Sequence, residues 1–553
     1  MRRKDNAMRK LQMFDSTLRD GAQGEGISFS LEDKLKILTR LDSFGVDFVE
    51  AGNPGSNPKD LEFFKQAEKL GLKTAKLVSF GSTKRKEINP EDDGNLKALL
   101  TANTEYIAIF GKSWDMHVDK ILRVSHAENL DMIERTIKYL TGLGKKIIFD
   151  AEHFFDGYKH NPDYAIETLK AAERAGAVCL CLCETNGGCF PDEITKIIQH
   201  VKSCVNTPLG IHCHNDNGCG VANSLAAVNA GVAQVQGTFI GIGERTGNAN
   251  LAVLIANLQL KLGFGCVPPE SLPLLKETAH FIAETANIAL PSSMPYVGSS
   301  AFAHKGGMHV DGVSKDPATF EHITPESVGN ERNFLLSEVS GRAVTFAKLE
   351  KIIPDLQKSD PIVQTLTTRI KELEHEGYQF EAAGASFELL VYKELGLFLP
   401  YFEIIDFKII SSHYTAEPAE EKSPLPGRGS KFSKASALIN VRVGDKHEIT
   451  ADEGDGPVNA IDKALRKALE RFYPALKDMR LVDFKVRIIG GSGSDDGIGQ
   501  NTAATTRVLI ESTDGKTSWT TVGASRDIIN ASMMALLDSL EYMLYTNRET
   551  NFN

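Results

Sequence analysis

A surplus of basic residues is missing from these 553 residues: 62 Lys and Arg stand against 73 Asp and Glu, a formal net charge of −11. A nucleic-acid partner is held through its phosphates by a basic surface, so none is expected. No apolar run nears the roughly 20 residues of a membrane-spanning helix, which argues against a membrane partner. The first ten residues are basic but have no apolar stretch behind them, so no secretory signal is read there, and a cytoplasmic protein is expected. Cysteine is scarce. All eight cysteines fall between Cys179 and Cys266, too confined to staple so large a fold. Cys179, Cys181 and Cys183 alternate in VCLCLCE and would share one face of a strand. They lack the CxxC pairs usual for zinc, and buried free thiols are the expected state. No GxGxxG follows the first strand pattern, which removes the main support for a doubly wound dinucleotide-binding sheet. The Gly-rich run 490–501 lacks the Gly-Lys-Ser/Thr ending of a phosphate loop and reads as a hairpin loop.

What is present is a regular beat. Short β-branched or aromatic runs at 11–14, 47–51, 74–79, 106–110, 146–152, 177–184, 208–214 and 233–240 alternate with amphipathic helical patterns. The helices are expected at 31–44, 59–70, 91–101, 126–143, 163–175, 192–205, 221–230 and 250–262. Ser30 and Asn161-Pro162 are helix-start signals, and Gly45, Gly71, Gly144, Gly176 and Gly231 are stops. Eight such pairs over about 250 residues predict a (β/α)8 TIM barrel. We expect the barrel over 1–265, a helical linker region over 266–398, and an α+β C-terminal regulatory domain over 399–553. In that last domain, strands near 402–411, 437–443, 481–489 and 505–512, with two helices, read as two ββα-like halves. The segment 412–433 reads as a loop.

In a barrel, chemistry sits at the C-terminal ends of the strands. Arg19 and Asp20 follow the first strand in DSTLRDG, Glu152 ends the fifth, and His212 and His214 end the seventh. Glu244, Arg245 and Asn248 follow the eighth in GIGERTGN. His212-Cys213-His214 places two imidazoles on one side of a strand, where both reach one ion, and Asp20 adds a hard anionic ligand. Two nitrogens and a carboxylate also describe the iron site of certain oxygenases, which remains a competitor on ligand type. A divalent ion with open positions suits a 2-oxo acid, whose carboxylate and ketone oxygens chelate together while the ketone is polarised. Arg19 has the fork geometry to neutralise the acid's carboxylate or a developing alkoxide.

TLRDGAQGEGISFSLEDK, PLGIHCHNDNGCGVANSLAAVNAG and GIGERTGNANL resemble the signatures of the 2-isopropylmalate, homocitrate and citramalate synthase family, within the DRE-TIM metallolyases. The resemblance continues through AFAHKGGMHVDGV and EGDGPVNAIDKALRKALERFYP. It implies an acyltransferase that condenses acetyl-CoA with a 2-oxo acid. FDAEHFFDGYKHNP and EGYQFEAAGASFELL resemble the citramalate branch, which implies pyruvate as that acid. It further implies Asp20, His212 and His214 as metal ligands, with Asn248 near or on the ion, which could be Mn2+, Mg2+ or Zn2+. Arg19 would bind the oxo acid, Glu152 would serve catalysis, and Thr185 would contact substrate. His309 and Asp311, in HVDG, would act from the region after the barrel, His309 in the proton relay that forms the enolate. Phe320, in PATFEHI, stands where relatives often carry Tyr, at a substrate-binding position. A homodimer and a feedback amino acid on the C-terminal domain are also implied. The competing classes are a 2-isopropylmalate synthase, an acyl-CoA lyase on the same barrel, and an amino-acid sensor with a dead barrel. The long extension beyond the barrel speaks against the lyase, and the complete set of rim residues against the sensor.

Overall fold

The computed structural model describes residues 9–335, 342–350, 352–353, 356–415, 431–489, 504–515 and 517–549. Eight parallel strands close into a barrel in sequence order. They are β1 (Gln12–Asp15), β2 (Phe48–Glu50), β3 (Lys76–Ser82), β4 (Tyr106–Lys112), β5 (Lys146–Glu152), β6 (Cys179–Glu184), β7 (Leu209–Cys213) and β8 (Gln234–Gly237), with β8 pairing back onto β1. The helices between them start where side chains satisfy free backbone N–H groups. In α1 (Leu31–Phe44) Ser30 and Asp33 form a reciprocal capping box. Asn57 caps α2 (Pro58–Ala67), Asp93 caps α3 (Gly94–Thr101), Ser125 caps α4 (His126–Gly142) and Asn161 caps α5 (Pro162–Arg174). The helix expected at 91–101 therefore begins later, after a 3-10 turn at Pro90–Asp92. Next come α6 (Pro191–Cys204), α7 (Gly220–Ala230) and α8 (Leu251–Ala256). Gly45 ends α1 at φ 92°, a left-handed cap that its lack of a side chain permits. A helix with no counterpart among the expected elements, Phe154–His160, is inserted after β5.

Two apolar layers hold the barrel. One lies between strands and helices and includes Phe44, Phe63, Phe149, Phe154 and Phe239. The other fills the interior, where Phe14, Phe48, Val78, Ala108 and Ile148 meet Cys179, Cys181 and Cys183. The three alternate cysteines do share the inner face and are buried free thiols, whereas Cys204 and Cys219 are partly exposed. Strand alternation thus puts the same faces inward on every strand and brings the C-terminal ends to one rim.

The chain divides into two compact units, one through Phe302 plus His322–Arg332 and the other with Ala303–Glu321 and Asn333 onward. The second holds α9 (Gly307–Lys315), α10 (Pro361–His375) and α11 (Gly384–Glu394). Two antiparallel sheets follow. Strands β9 (Glu403–Thr415), β10 (Lys431–Val443) and β11 (Lys446–Gly454) precede α12 (Pro457–Leu469). Strands β12 (Arg480–Ile489), β13 (Thr505–Thr513) and β14 (Ser518–Ser525) precede α13 (Ile528–Glu549). Each half carries three strands, not the two expected. β11 reads KHEITADEG, in which Glu448 and Asp452 share the partly buried face with Thr450 while Ile449 lies on the exposed one, so no apolar alternation shows. Strand pairing also takes in Ser412–Thr415 and Lys431–Ser433, which were expected in a loop. The remaining loop residues, and the Gly-rich run 490–501 with its flank, lie outside the described residues.

Candidate active site

The strand ends meet around a cavity of about 240 Å³ at the C-terminal mouth of the barrel. Arg19, Asp20, Glu152, Thr185, His212 and His214 all line it, together with Phe80, Phe110 and Asp150. At its centre, the Nε2 atoms of His212 and His214 stand 3.4 Å apart, and Asp20 Oδ2 lies 3.2 Å from the first and 3.9 Å from the second. All three side chains are buried. Two ring nitrogens pointing at each other with no acceptor between them repel unless a proton or a cation intervenes. Ligands about 2.0–2.1 Å from a tetrahedral ion stand about 3.3 Å apart, so these spacings fit one ion. Asn248 joins the group, with its Nδ2 3.5 Å from His212 Nε2 and its buried Oδ1 without a partner. Turning the amide over would direct that oxygen at the cluster. The donor set, two imidazoles, a carboxylate and an amide, suits a divalent cation.

The charges around this cluster sustain one another. Burial opposes ionisation of Asp20, but Arg19 and His212 outweigh it and hold the carboxyl well below its usual range. Burial also opposes a charge on His212, yet Asp20 raises its affinity for a proton, while burial and His212 together lower His214 to about 3. His214 is therefore a neutral nitrogen donor, as metal ligation requires.

Arg19 is held from three sides. Its Nε donates to Glu50 Oε2 at 2.7 Å, its Nη1 lies 3.3 Å from Asp20 Oδ2, and its guanidinium sits 4.0 Å from the ring centre of Phe80. Glu50 is fully buried and also accepts from Ser16 Oγ at 2.5 Å. Phe80 in turn stacks on Phe110 at 5.1 Å. Glu152 is ion-paired with Lys112, at the end of β4. Thr185 accepts from the backbone N–H of His153 at 2.9 Å, which leaves its own hydroxyl hydrogen for a ligand. His153 itself is strained, at φ 55°.

Arg245 clasps the loops of this rim. It makes a bidentate pair with Asp216 at 2.7 and 2.9 Å and donates to the Thr185 carbonyl at 2.8 Å, linking the loops after β6, β7 and β8. Three groups in or beside this cavity had not been singled out in the sequence: Glu50, Lys112 and Asp150. Each is a charged residue near the C-terminal end of a barrel strand, and that position was the available signal.

The remaining candidates belong to the second unit. His309 lies on α9 with its ring stacked on Phe320, centres 4.2 Å apart. Gly312 makes room for this stack, because a Cβ there would meet Phe320 Cε2 at 2.6 Å. Asp311 pairs with Lys315 at 2.6 Å and Lys358 at 3.3 Å.

Residues 10–271 match the family described as HMGL-like, 296–378 the homocitrate synthase post-HMGL domain-like family, and 381–544 the LeuA allosteric (dimerisation) domain. An (R)-citramalate synthase of Geobacter sulfurreducens is 48% identical over 98% of this chain and 99% of its own. The chain belongs to the citramalate synthase family. Another (R)-citramalate synthase, from Aquifex aeolicus, shows the same 48% over 98% of this chain and 99% of its own. A probable 2-isopropylmalate synthase of Methanopyrus kandleri is more distant, at 30% identity over 98% of this chain and 99% of its own. Citramalate synthase family relatives therefore share the extension as well as the barrel. No helix among the described residues is long and apolar enough to cross a membrane.

Proposed function

We propose that this protein condenses acetyl-CoA with pyruvate to give (R)-citramalate and CoA, a step that feeds isoleucine formation in the cytoplasm. The observation that carries the reading is the convergence of Asp20, His212 and His214 beside Arg19 in one small cavity. These three, with Asn248, would hold the divalent ion, be it Mn2+, Mg2+ or Zn2+. When bound, that ion supplies Lewis-acid polarisation of the ketone.

The chain's own groups do the rest. Arg19 binds the oxo acid's carboxylate with the guanidinium N–H groups that its pairings with Glu50 and Asp20 leave over. Thr185 donates its hydroxyl hydrogen to the same substrate. Phe80 and Phe110 wall the cavity and restrict it to a short side chain. His309 takes a proton from the methyl group of acetyl-CoA at a ring nitrogen, a task suited to imidazole near neutral pH. The resulting carbanion attacks the ketone carbon, and water then cleaves the thioester. Glu152, held by Lys112, and Asp311 serve proton movement, and Phe320 holds the His309 ring by stacking. The C-terminal sheets form a homodimer and bind a feedback amino acid, isoleucine if citramalate is the product.

A thiol-release assay tests this, using acetyl-CoA with pyruvate, 2-oxoisovalerate and 2-oxoglutarate under Mn2+, Mg2+ or Zn2+. Pyruvate should give the highest kcat/KM. Release with 2-oxoisovalerate alone would transfer the protein to leucine formation, and no release with any oxo acid would defeat the reading.

A further inference from the structure

The cysteine alternation in β6 is not absorbed by the reaction above. Within the barrel, just inside the cavity floor, Asp150, Cys181 and Cys183 bring one carboxylate oxygen and two sulfurs within 4.8 Å of one another. We propose that these three residues form a second metal site, selective for a thiophilic divalent ion of the zinc and cadmium class.

Several features support it. The donors come from adjacent strands β5 and β6, paired in register with Asp150 opposite Cys181, so the barrel itself fixes their spacing. Cys181 and Cys183 are two residues apart on one strand and face the same way. Two sulfurs and one oxygen leave a fourth tetrahedral position open, the ligand number zinc prefers. Gln236 lies alongside, its Nε2 donating to Asp150 Oδ1 at 3.2 Å and to the buried Gln234 Oε1 at 3.3 Å, and its Oε1 is buried without a partner. With its amide turned over, it offers a neutral oxygen for that position. An entry path exists, because Asp150 and Cys183 line the active-site cavity. The bland alternative is a set of inert thiols in an apolar interior. An acid and two glutamines placed among those thiols are more than inert packing requires.

The site differs in chemistry from the imidazole and carboxylate cluster above it. Soft sulfur favours zinc or cadmium, whereas manganese and magnesium prefer nitrogen and oxygen. A thiophilic ion bound here would therefore sit under the oxo acid, and excess Mn2+ would not displace it.

The test is a Cd2+ titration of the full-length protein in saturating Mn2+, read by thiolate-to-cadmium absorption in the ultraviolet. This readout is independent of catalysis, so it succeeds or fails separately from the proposed reaction. The protein should carry Cys204→Ser, because Cys204 lies 3.8 Å from His200 and offers a surface site of its own. One equivalent of sulfur-bound cadmium is expected. Cys181→Ser, which lies outside the cavity lining, should keep turnover with Mn2+, lose the absorption, and weaken cadmium binding at least about tenfold. Cys183→Ser should lose the absorption too, and circular dichroism of each variant checks that it folds. Absorption that persists in both variants, or no sulfur absorption in the parent, would overturn the proposal.

Discussion

Glu50 offers the sharpest test of how the oxo-acid site is held. Both Ser16 Oγ and Arg19 Nε donate to its Oε2, while Oε1 has no partner. Glu50→Gln can therefore keep both hydrogen bonds by placing its carbonyl oxygen at the Oε2 position. Only the negative charge is removed. A hydrogen bond to a charged group contributes about 1.5–3 kcal/mol against about 0.5–1.5 for a neutral one. Arg19 would also remain buried with Asp20, already engaged by His212, as its one carboxylate. We expect a loss of about 2–3 kcal/mol, which corresponds to about 30- to 150-fold in kcat/KM for the oxo acid. The loss should fall mainly on KM, since the proposed contact of Arg19 with the carboxylate would be made in ground and transition states alike. Glu50→Ala removes the hydrogen bonds too and should cost about 3–5 kcal/mol, visible as lower thermal stability. The measurement is steady-state thiol release over a range of pyruvate, alongside thermal unfolding. A folded Glu50→Gln protein with kcat/KM within about twofold of the parent would show that Arg19 needs no anchor and would refute the reasoning.

Gly312→Ala should be neutral or stabilise α9 by about 0.5–1 kcal/mol, since glycine weakens a helix. Yet its Cβ must push the half-exposed Phe320 ring off His309, so turnover should fall by about 10- to 100-fold without unfolding. Burial, opposed by Lys393, lifts Glu541 to about 7. The folded state thus keeps a proton that the unfolded state releases near pH 4.3, and stability should decline by roughly 3 kcal/mol as pH rises from about 4.5 to 7. Burial lifts Asp15, Asp150 and Glu184 to about 7 as well, so Glu541→Gln should remove only its own share of the slope in urea unfolding between pH 5 and 8, and an unchanged slope would refute the assignment. The outer face of the first C-terminal sheet exposes Ile410, Leu438 and Ile449. Replacing Ile410 and Ile449 together with Lys should shift sedimentation from dimer to monomer, and an unaltered dimer would place the interface on another face.

The barrel was legible because its signals are local and repeated. Eight apolar strands, each followed by a capped amphipathic helix, leave little choice of architecture, and the rim rule then selects Arg19, Asp20, Glu152, His212 and His214 without knowledge of their contacts. Glu50 and Lys112 escaped because each is a single charge on an otherwise ordinary strand, and Asp150 because the rim position two residues on belongs to Glu152. Their meaning lies in which strand neighbours them, and that is a property of barrel closure. The edge strand β11 escaped for the opposite reason. β11 is half solvated and rich in charge, so its strand conformation comes from pairing with β10 rather than from its own apolar alternation. The inserted helix Phe154–His160 had no periodic length to betray it, being seven residues long.

Barrels of this kind are often regarded as a scaffold with interchangeable tops, in which each loop can be exchanged without regard to the others. The Arg245 clasp removes that freedom here. One guanidinium fastens the segment bearing Thr185, the segment after His214 and the turn leading to Asn248. A graft meant to alter substrate choice through the loop after β6 would slacken the two segments that flank His214 and Asn248 as well. A change of any one of these three loops is therefore a change in the support of the other two.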